Sequence, residues 1–245
     1  MSEQVQGRQV RVGCAGWGVA SGRPEFGAGG SVLERYATRF DTVEINSSFY
    51  RPHRRSTYRK WADLTPDGFR FSVKVPKAMT HTAKLRDCAG TLTDFLDGVG
   101  GLGDKLGCLL VQLPPSLNFE PDVAAEFFDT LRQQTPVAAV CEPRHVSWFT
   151  AEADALLRQH RIGRVAADPA KVPAAAVPGG DPQTVYYRWH GSPRMYSSSY
   201  SDEALARLAQ EVQSHTGETW VIFDNTASSA GVDNALTLLD KLSAP

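Results

Sequence analysis

Eight short apolar runs, each but one followed by a helix-like pattern, constrain this chain more than any other feature. They are QVRVGCAG, TVEINSSF, FRFSVKV, GCLLVQL, VAAVCE, IGRVAAD, the stretch centred on VYYRWH, and TWVIFDN. Strand-like runs that alternate with helical patterns predict parallel pairing, because parallel neighbours need a long crossover and a helix is the usual one. Eight such units predict a (β/α)8 barrel in one domain over residues 1–245, with a doubly wound open sheet as the rival fold. The exception lies between the sixth and seventh runs. PAKVPAAAVPGGDPQT holds four prolines and a glycine pair, so a loop is expected there and the sixth helix is degenerate.

Strands buried on both faces of a parallel sheet should be apolar almost throughout. Here the exceptions gather at the strand ends. Glu44 and Asn46 share one face of the second run, Ser72 and Lys74 one face of the third, and Arg188 and His190 one face of the seventh. Gln112, Glu142, Asp168 and Asp224 end the fourth, fifth, sixth and eighth runs, and Arg144 follows Glu142 by two. In a barrel all these ends surround one mouth, where active sites are built. Tyr187 and Trp189 should then pack outward. The bland reading is a plug, in which the charges pair only to hold the sheets together.

Within that mouth Glu44 and Glu142 are the acid–base candidates, since carboxylates in unlike environments can divide into an acid and a base. His190 is placed to transfer protons near neutral pH. Lys74, Arg144 and Arg188 form a candidate anion site, the arginines two-pronged and the lysine a point charge. Trp17, Trp148, Tyr196 and Tyr200 sit in loops, where they could stack on a ring or simply pack a lid. Glu44, Glu142, Asp168, His190 and Asp224 have metal-ligand chemistry, but no compact ligand motif joins them and three cations stand nearby, so no metal is assigned. GAGGS before the first helix matches neither phosphate-binding nor dinucleotide fingerprints and reads as a flexible lid, and no cofactor is assigned.

Composition removes other classes. With 42 % apolar residues the chain can form a core, and a net charge of -1 gives no overall pull toward nucleic acid or an anionic membrane. No run approaches the roughly 18 apolar residues of a membrane span. The polar start MSEQVQGRQVRVG and four cysteines without a C-x-x-C pair predict a cytoplasmic protein with free thiols.

The ordered blocks GCAGW, YATRFDTVEINSSFYRPHRRSTYRKWADLTPDGFRFSVKVPKAMTH, LLVQLPPSLNF, CEPRHVSWF, YYRWHGS and WVIFDNTASSAGVDNALTLL run from Gly13 to about Leu239. Together they resemble the YecE-like family, domain of unknown function 72. The resemblance implies a TIM-type barrel and no settled activity. It carries over, as recurrent polar positions, Glu44, Asn46, Tyr50, Lys74, His81, Gln112, Glu142, Arg144, Trp148, Arg188, His190 and Asn225. Two departures stand out: Ala15 replaces a serine of the family's G-x-S-G-W, and Asp224 replaces the first amide of its F-N-N. The sequence therefore supports three functions. They are an enzyme acting on a small anionic substrate, a non-catalytic binder of a nucleotide or a nucleic-acid end, and a metal-dependent hydrolase.

Overall fold

The computed structural model describes residues 9–20, 22–227 and 229–243. Two predominantly parallel sheets carry the chain. One is ordered β1 (Val10–Cys14), β10 (Glu218–Phe223), β9 (Thr184–Trp189), β7 (Ala166–Asp168). The other is ordered β2 (Thr42–Ile45), β3 (Arg70–Lys74), β4 (Leu106–Gln112), β5 (Ala138–Glu142), β6 (Ile162–Arg164), β8 (Gly179–Gly180), the last antiparallel to its neighbour. The helices are α1 (Val32–Tyr36), α2 (Arg55–Asp63), α3 (Ala89–Val99), α4 (Pro121–Gln134), α5 (Ala151–Gln159), α6 (Asp202–Ser214) and α7 (Ala230–Ser243).

The sheets meet at two seams, and each depends on a glycine. At the first, a side chain on Gly13 would collide with the carbonyl oxygen of Thr42, so only glycine lets β1 approach β2. Tyr36 closes this seam from outside, accepting from the Cys14 amide at 2.8 Å and donating to Thr42 O at 2.9 Å. One parallel bridge, Ala15 to Glu44, joins the strands there. At the second seam the chain crosses between sheets. Residues 162–164 pair with β5 and residues 166–168 with β9, and Gly163 lies against Thr184 O.

This crossing corrects the sequence reading of IGRVAAD as one strand. It is two short strands parted at Val165, whose amide donates to Cys141 O at 2.9 Å while the next residue changes partner sheets. The proline-rich stretch after Asp168 contains a 3-10 turn, Pro173–Ala176, where the other units have a helix. The first helix is also shorter than SVLERYATRF suggested, ending at Tyr36.

Two apolar cores result. The larger lies between the sheets and the helices. The smaller holds Cys108, Leu110, Val140, Val165, Tyr186, Trp220 and Ile222, side chains drawn from both sheets onto one shared interior. All four cysteines are free and buried.

Several helix starts follow local chemistry. Ser31 and Glu34 form a reciprocal capping box on α1, Thr150 caps α5, and Ser201 caps α6 ahead of Asp202 and Glu203. By contrast α2 has no side-chain cap and no acid in its first turn; Arg54 and Arg55 stand there, where the helix dipole disfavours them. Among the described residues no helix is long and apolar enough to cross a membrane.

Candidate functional site

Above the small core, at the C-terminal ends of β2, β5, β9 and β10, lies a buried layer of charge. Arg188 is 1 % exposed and is its centre. Its Nε donates to Glu44 Oε2 at 3.0 Å and its Nη2 to Glu44 Oε1 at 2.8 Å, a side-on two-pronged pair. Nη2 also lies 3.0 Å from Asp224 Oδ2, and Nη1 donates to Glu142 Oε2 at 3.3 Å. Tyr186 Oη donates to Glu44 Oε2 at 3.0 Å and lies 2.9 Å from the Ser72 hydroxyl, tying the carboxylate to the core below. Burial disfavours the guanidinium charge, but Glu44, Asp224 and Glu142 outweigh it and hold Arg188 well above its ordinary range.

His190 bridges two of these carboxylates. Its Nε2 is 2.9 Å from Glu142 Oε1 and its Nδ1 2.9 Å from Asp224 Oδ2. Arg144 Nη2 donates to Glu142 Oε1 at 2.6 Å and lies 3.1 Å from His190 Nε2. Only when both ring nitrogens carry a proton are both carboxylate contacts hydrogen bonds. If Nε2 loses its proton, it accepts from Arg144 instead. Burial pushes Glu142 up, yet Arg188, Arg144 and His190 together hold it far below the usual carboxylate range. Asp224 is likewise lowered, burial being outweighed chiefly by Arg188. The Tyr196 ring covers His190 edge-on with centroids 5.9 Å apart.

Lys74 is different. It is 6 % exposed, and among the described residues no carboxylate pairs with it. Its ammonium sits 4.2 Å from the Phe49 ring centroid. Burial first, then Arg188, lowers it to about 8 against the opposing pull of Glu44, Glu142 and Asp224. Two other candidates also have unmet hydrogen-bonding capacity: among the described residues the Arg144 Nε and the Asn46 Oδ1 are buried without partners. His81 lies on a π-helical turn, Ala78–Thr82, with its ring 5.0 Å from Phe49; partial burial, Lys74, Lys77 and Arg144 lower it. Such single turns recur at functional sites.

The other sequence candidates lie outside this contact network. Gln112 is half-buried and donates to Leu113 O at 3.3 Å. Trp148 is buried against Phe119 and donates to Leu117 O at 3.0 Å, a packing role. Asn225 spends its amide nitrogen on Ser198 O and Asn234 Oδ1, both at 2.9 Å, bracing the loop after β9. Tyr50 is 72 % exposed on the rim. Asp168 turns away from the mouth: it accepts from Tyr200 Oη at 2.7 Å and lines an outer cavity of about 510 Å³ beside Trp189 and α6. Among the described residues no three His, Cys, Asp or Glu side chains converge on a metal position. Glu44, Glu142 and Asp224 all contact the Arg188 guanidinium. Sequence reasoning missed Tyr186, although its place two residues before Arg188 put it on the same face. It also missed Phe49 beneath Lys74, for which no sequence signal existed.

Fold and site together define an α/β protein with a buried ion-pair layer and a buried lysine that, among the described residues, no carboxylate pairs. The family model described as "Protein of unknown function DUF72" matches residues 11–245, and the chain belongs to that family. It is 32 % identical over 149 residues to UPF0759 protein YecE of Escherichia coli K12, a match covering 58 % of this chain and about half, 54 %, of that protein. The crystal structure of a DUF72 family protein from Thermotoga maritima MSB8 superposes with a TM-score of 0.78 at 26 % identity, covering 97 % of this chain and 100 % of that one. A xylose isomerase-like TIM barrel/4-hydroxyphenylpyruvate dioxygenase fusion protein matches at a TM-score of 0.54 and 16 % identity, over 96 % of this chain and 42 % of that one, a likeness of fold alone.

Proposed function

We propose that the two sheets are halves of one single-domain (β/α)8 barrel with a degenerate sixth helix. Its C-terminal mouth binds a polar, anion-bearing substrate, phosphorylated or carboxylated, for acid–base chemistry. The barrel reading is supported by the interior core shared between sheets, by the two glycine seams, and by the likeness to a xylose isomerase-like TIM barrel.

One observation carries the site reading: a buried ammonium, Lys74, without a carboxylate partner. An uncompensated buried charge costs several kcal/mol, and a bound anion would remove that cost. The Arg144 Nε, buried without a partner among the described residues, supplies a further directed donor. Arg188, which the sequence offered as a third anion ligand, is saturated by three carboxylates and serves as their anchor. Glu44 is spent on Arg188 and Tyr186, and Glu142 stays ionised, so both act by holding charge in place. Proton movement falls to His190, steadied between Glu142 and Asp224, and to Lys74, whose value of about 8 suits exchange near neutral pH.

A second reading, binding without turnover, is favoured by the enclosure of His190, which is 0 % exposed beneath Tyr196. A panel of phosphorylated and carboxylated metabolites, followed by thermal shift and by product detection, tests both. Stabilisation by anions that Lys74→Met abolishes supports the site, and turnover lost in His190→Gln supports the enzyme. If no anion stabilises the wild type, the site reading fails.

A further inference from the structure

The net charge of -1 conceals a strong asymmetry. Residues 45–86 hold ten of the 26 lysines and arginines but only two of the 27 acids, Asp63 and Asp67. That segment therefore carries eight excess positive charges, and the rest of the chain nine excess negative ones. The segment includes the loop after β2, helix α2, strand β3 and the loop after it, and Arg51, Arg54 and Lys77 lie in the two loops that follow the strand ends.

Much of it has no partner. Arg55 pairs with Asp97 and Arg86 with Glu120, but Arg51, Arg54 and Lys77 are exposed and form no ion pair among the described residues. Arg54 also stands at the uncapped start of α2, where a cation opposes the helix dipole. An arrangement that local stability disfavours is what a binding function leaves behind.

The strip is continuous with the mouth and contains a ring. Lys74 lies over Phe49, the Phe49 and Tyr50 centroids are 5.1 Å apart, and Lys77 Nζ is 5.8 Å from the Tyr50 ring. The His81 ring stands 5.0 Å from Phe49, and burial first, then Lys74, Lys77 and Arg144, lowers its pKa. Tyr50, 72 % exposed, is the most exposed large aromatic side chain among the described residues. An exposed aromatic face flanked by unpaired cations fits a polymer that alternates flat rings with phosphates.

We propose that this face binds single-stranded nucleic acid. A base stacks on Tyr50, Arg51, Arg54 and Lys77 contact the backbone, and the strand's 5′-terminal phosphate enters the mouth at Lys74. The terminal contact rests on the anion-site reading given above, whereas the rim contacts do not.

The test is fluorescence anisotropy with a 3′-labelled single strand of about 12 nucleotides, within the usual site size, bearing a 5′-phosphate or a 5′-hydroxyl. Labelled polyphosphate is the ring-free control. Binding should weaken steeply with salt, log K falling against log salt with a slope of about -2 for three released counterions. Tyr50→Ala should weaken the oligonucleotide about tenfold and leave polyphosphate unchanged, and Tyr50→Phe should restore it. The double variant Arg51→Glu/Arg54→Glu should weaken both polyanions. Lys74→Met should remove only the preference for the 5′-phosphate. Polyphosphate binding as tight as the oligonucleotide's, with Tyr50→Ala silent, would overturn the nucleic-acid assignment. No polyanion binding at about 50 mM salt would overturn the strip itself. In that last case small anions that still stabilise the protein through Lys74 leave the mouth reading intact, so the two failures are distinguishable.

Discussion

Arg188 and Lys74 stand at strand ends in different sheets, and both are buried. Arg188 meets three carboxylates through four of its donor contacts. Lys74 meets an aromatic face and no carboxylate. Among strand-end cations, then, one is matched by carboxylates in contact and another, among the described residues, is not. Charge at the mouth of a sheet does not by itself mean binding; what matters is whether the surrounding acids have already been used.

The largest effect should come from breaking the saturated side. Arg188→Ala leaves Glu44, Glu142 and Asp224 buried without their cation, and should cost about 3–5 kcal/mol in urea unfolding. A variant with the wild-type midpoint would abolish the distinction between the two cations. Glu142→Gln should come next, and its signature is acid sensitivity. Because the folded value lies below the unfolded one, Glu142 contributes stability above about pH 4.3, which is lost as pH falls toward the folded value. Below about pH 4 the urea midpoint of the wild type should therefore fall more steeply than that of Glu142→Gln.

The unsaturated side should behave in the opposite sense. The Lys74 value is depressed to about 8, so the unfolded chain binds more protons between that pH and about 10.4, and wild-type stability should rise over this window. Lys74→Met removes the desolvated charge and should be at least as stable as wild type at neutral pH, while weakening anion binding by about 1.5–3 kcal/mol in calorimetric titration. A Lys74→Met variant that unfolds like Arg188→Ala would show that Lys74 too is a structural partner. The smallest change calibrates the others. Arg86→Ala breaks an ion pair whose side chains are 53 % and 54 % exposed and should shift stability by less than about 1 kcal/mol.

Much of this was legible from spacing alone. Period-two alternation placed Arg188 and His190 on the inner face and Tyr187 and Trp189 on the outer, as found: Tyr187 bonds His215 of the loop after α6, and Trp189 packs on Tyr200 and Phe223. The same rule would have put Tyr186 with Arg188. Proline spacing announced the missing helix after Asp168. Other features were illegible. IGRVAAD splits at Val165 because each half pairs with a different sheet, and no propensity encodes that. Asp168 has the same chemistry as Asp224 and the same place at a strand end, but Tyr200, thirty-two residues on, draws it outward.

By itself the sequence determined that strands and helices alternate, which side chains share a face, and which groups of charge stand at one end of the sheets, because these follow from local periodicity and from the cost of placing polar groups in apolar strands. It also held the crowding of cations between residues 45 and 86, which the net charge averages away. Only the tertiary structure decided which charges meet. Glu44 and Arg188 are 144 residues apart, and Glu142 and His190 forty-eight. Whether a buried ion is neutralised depends on distances of a few ångströms across that separation, since desolvation acts on each charge alone while its compensation needs a partner in contact. Arg188 found three such partners and Lys74, among the described residues, found none.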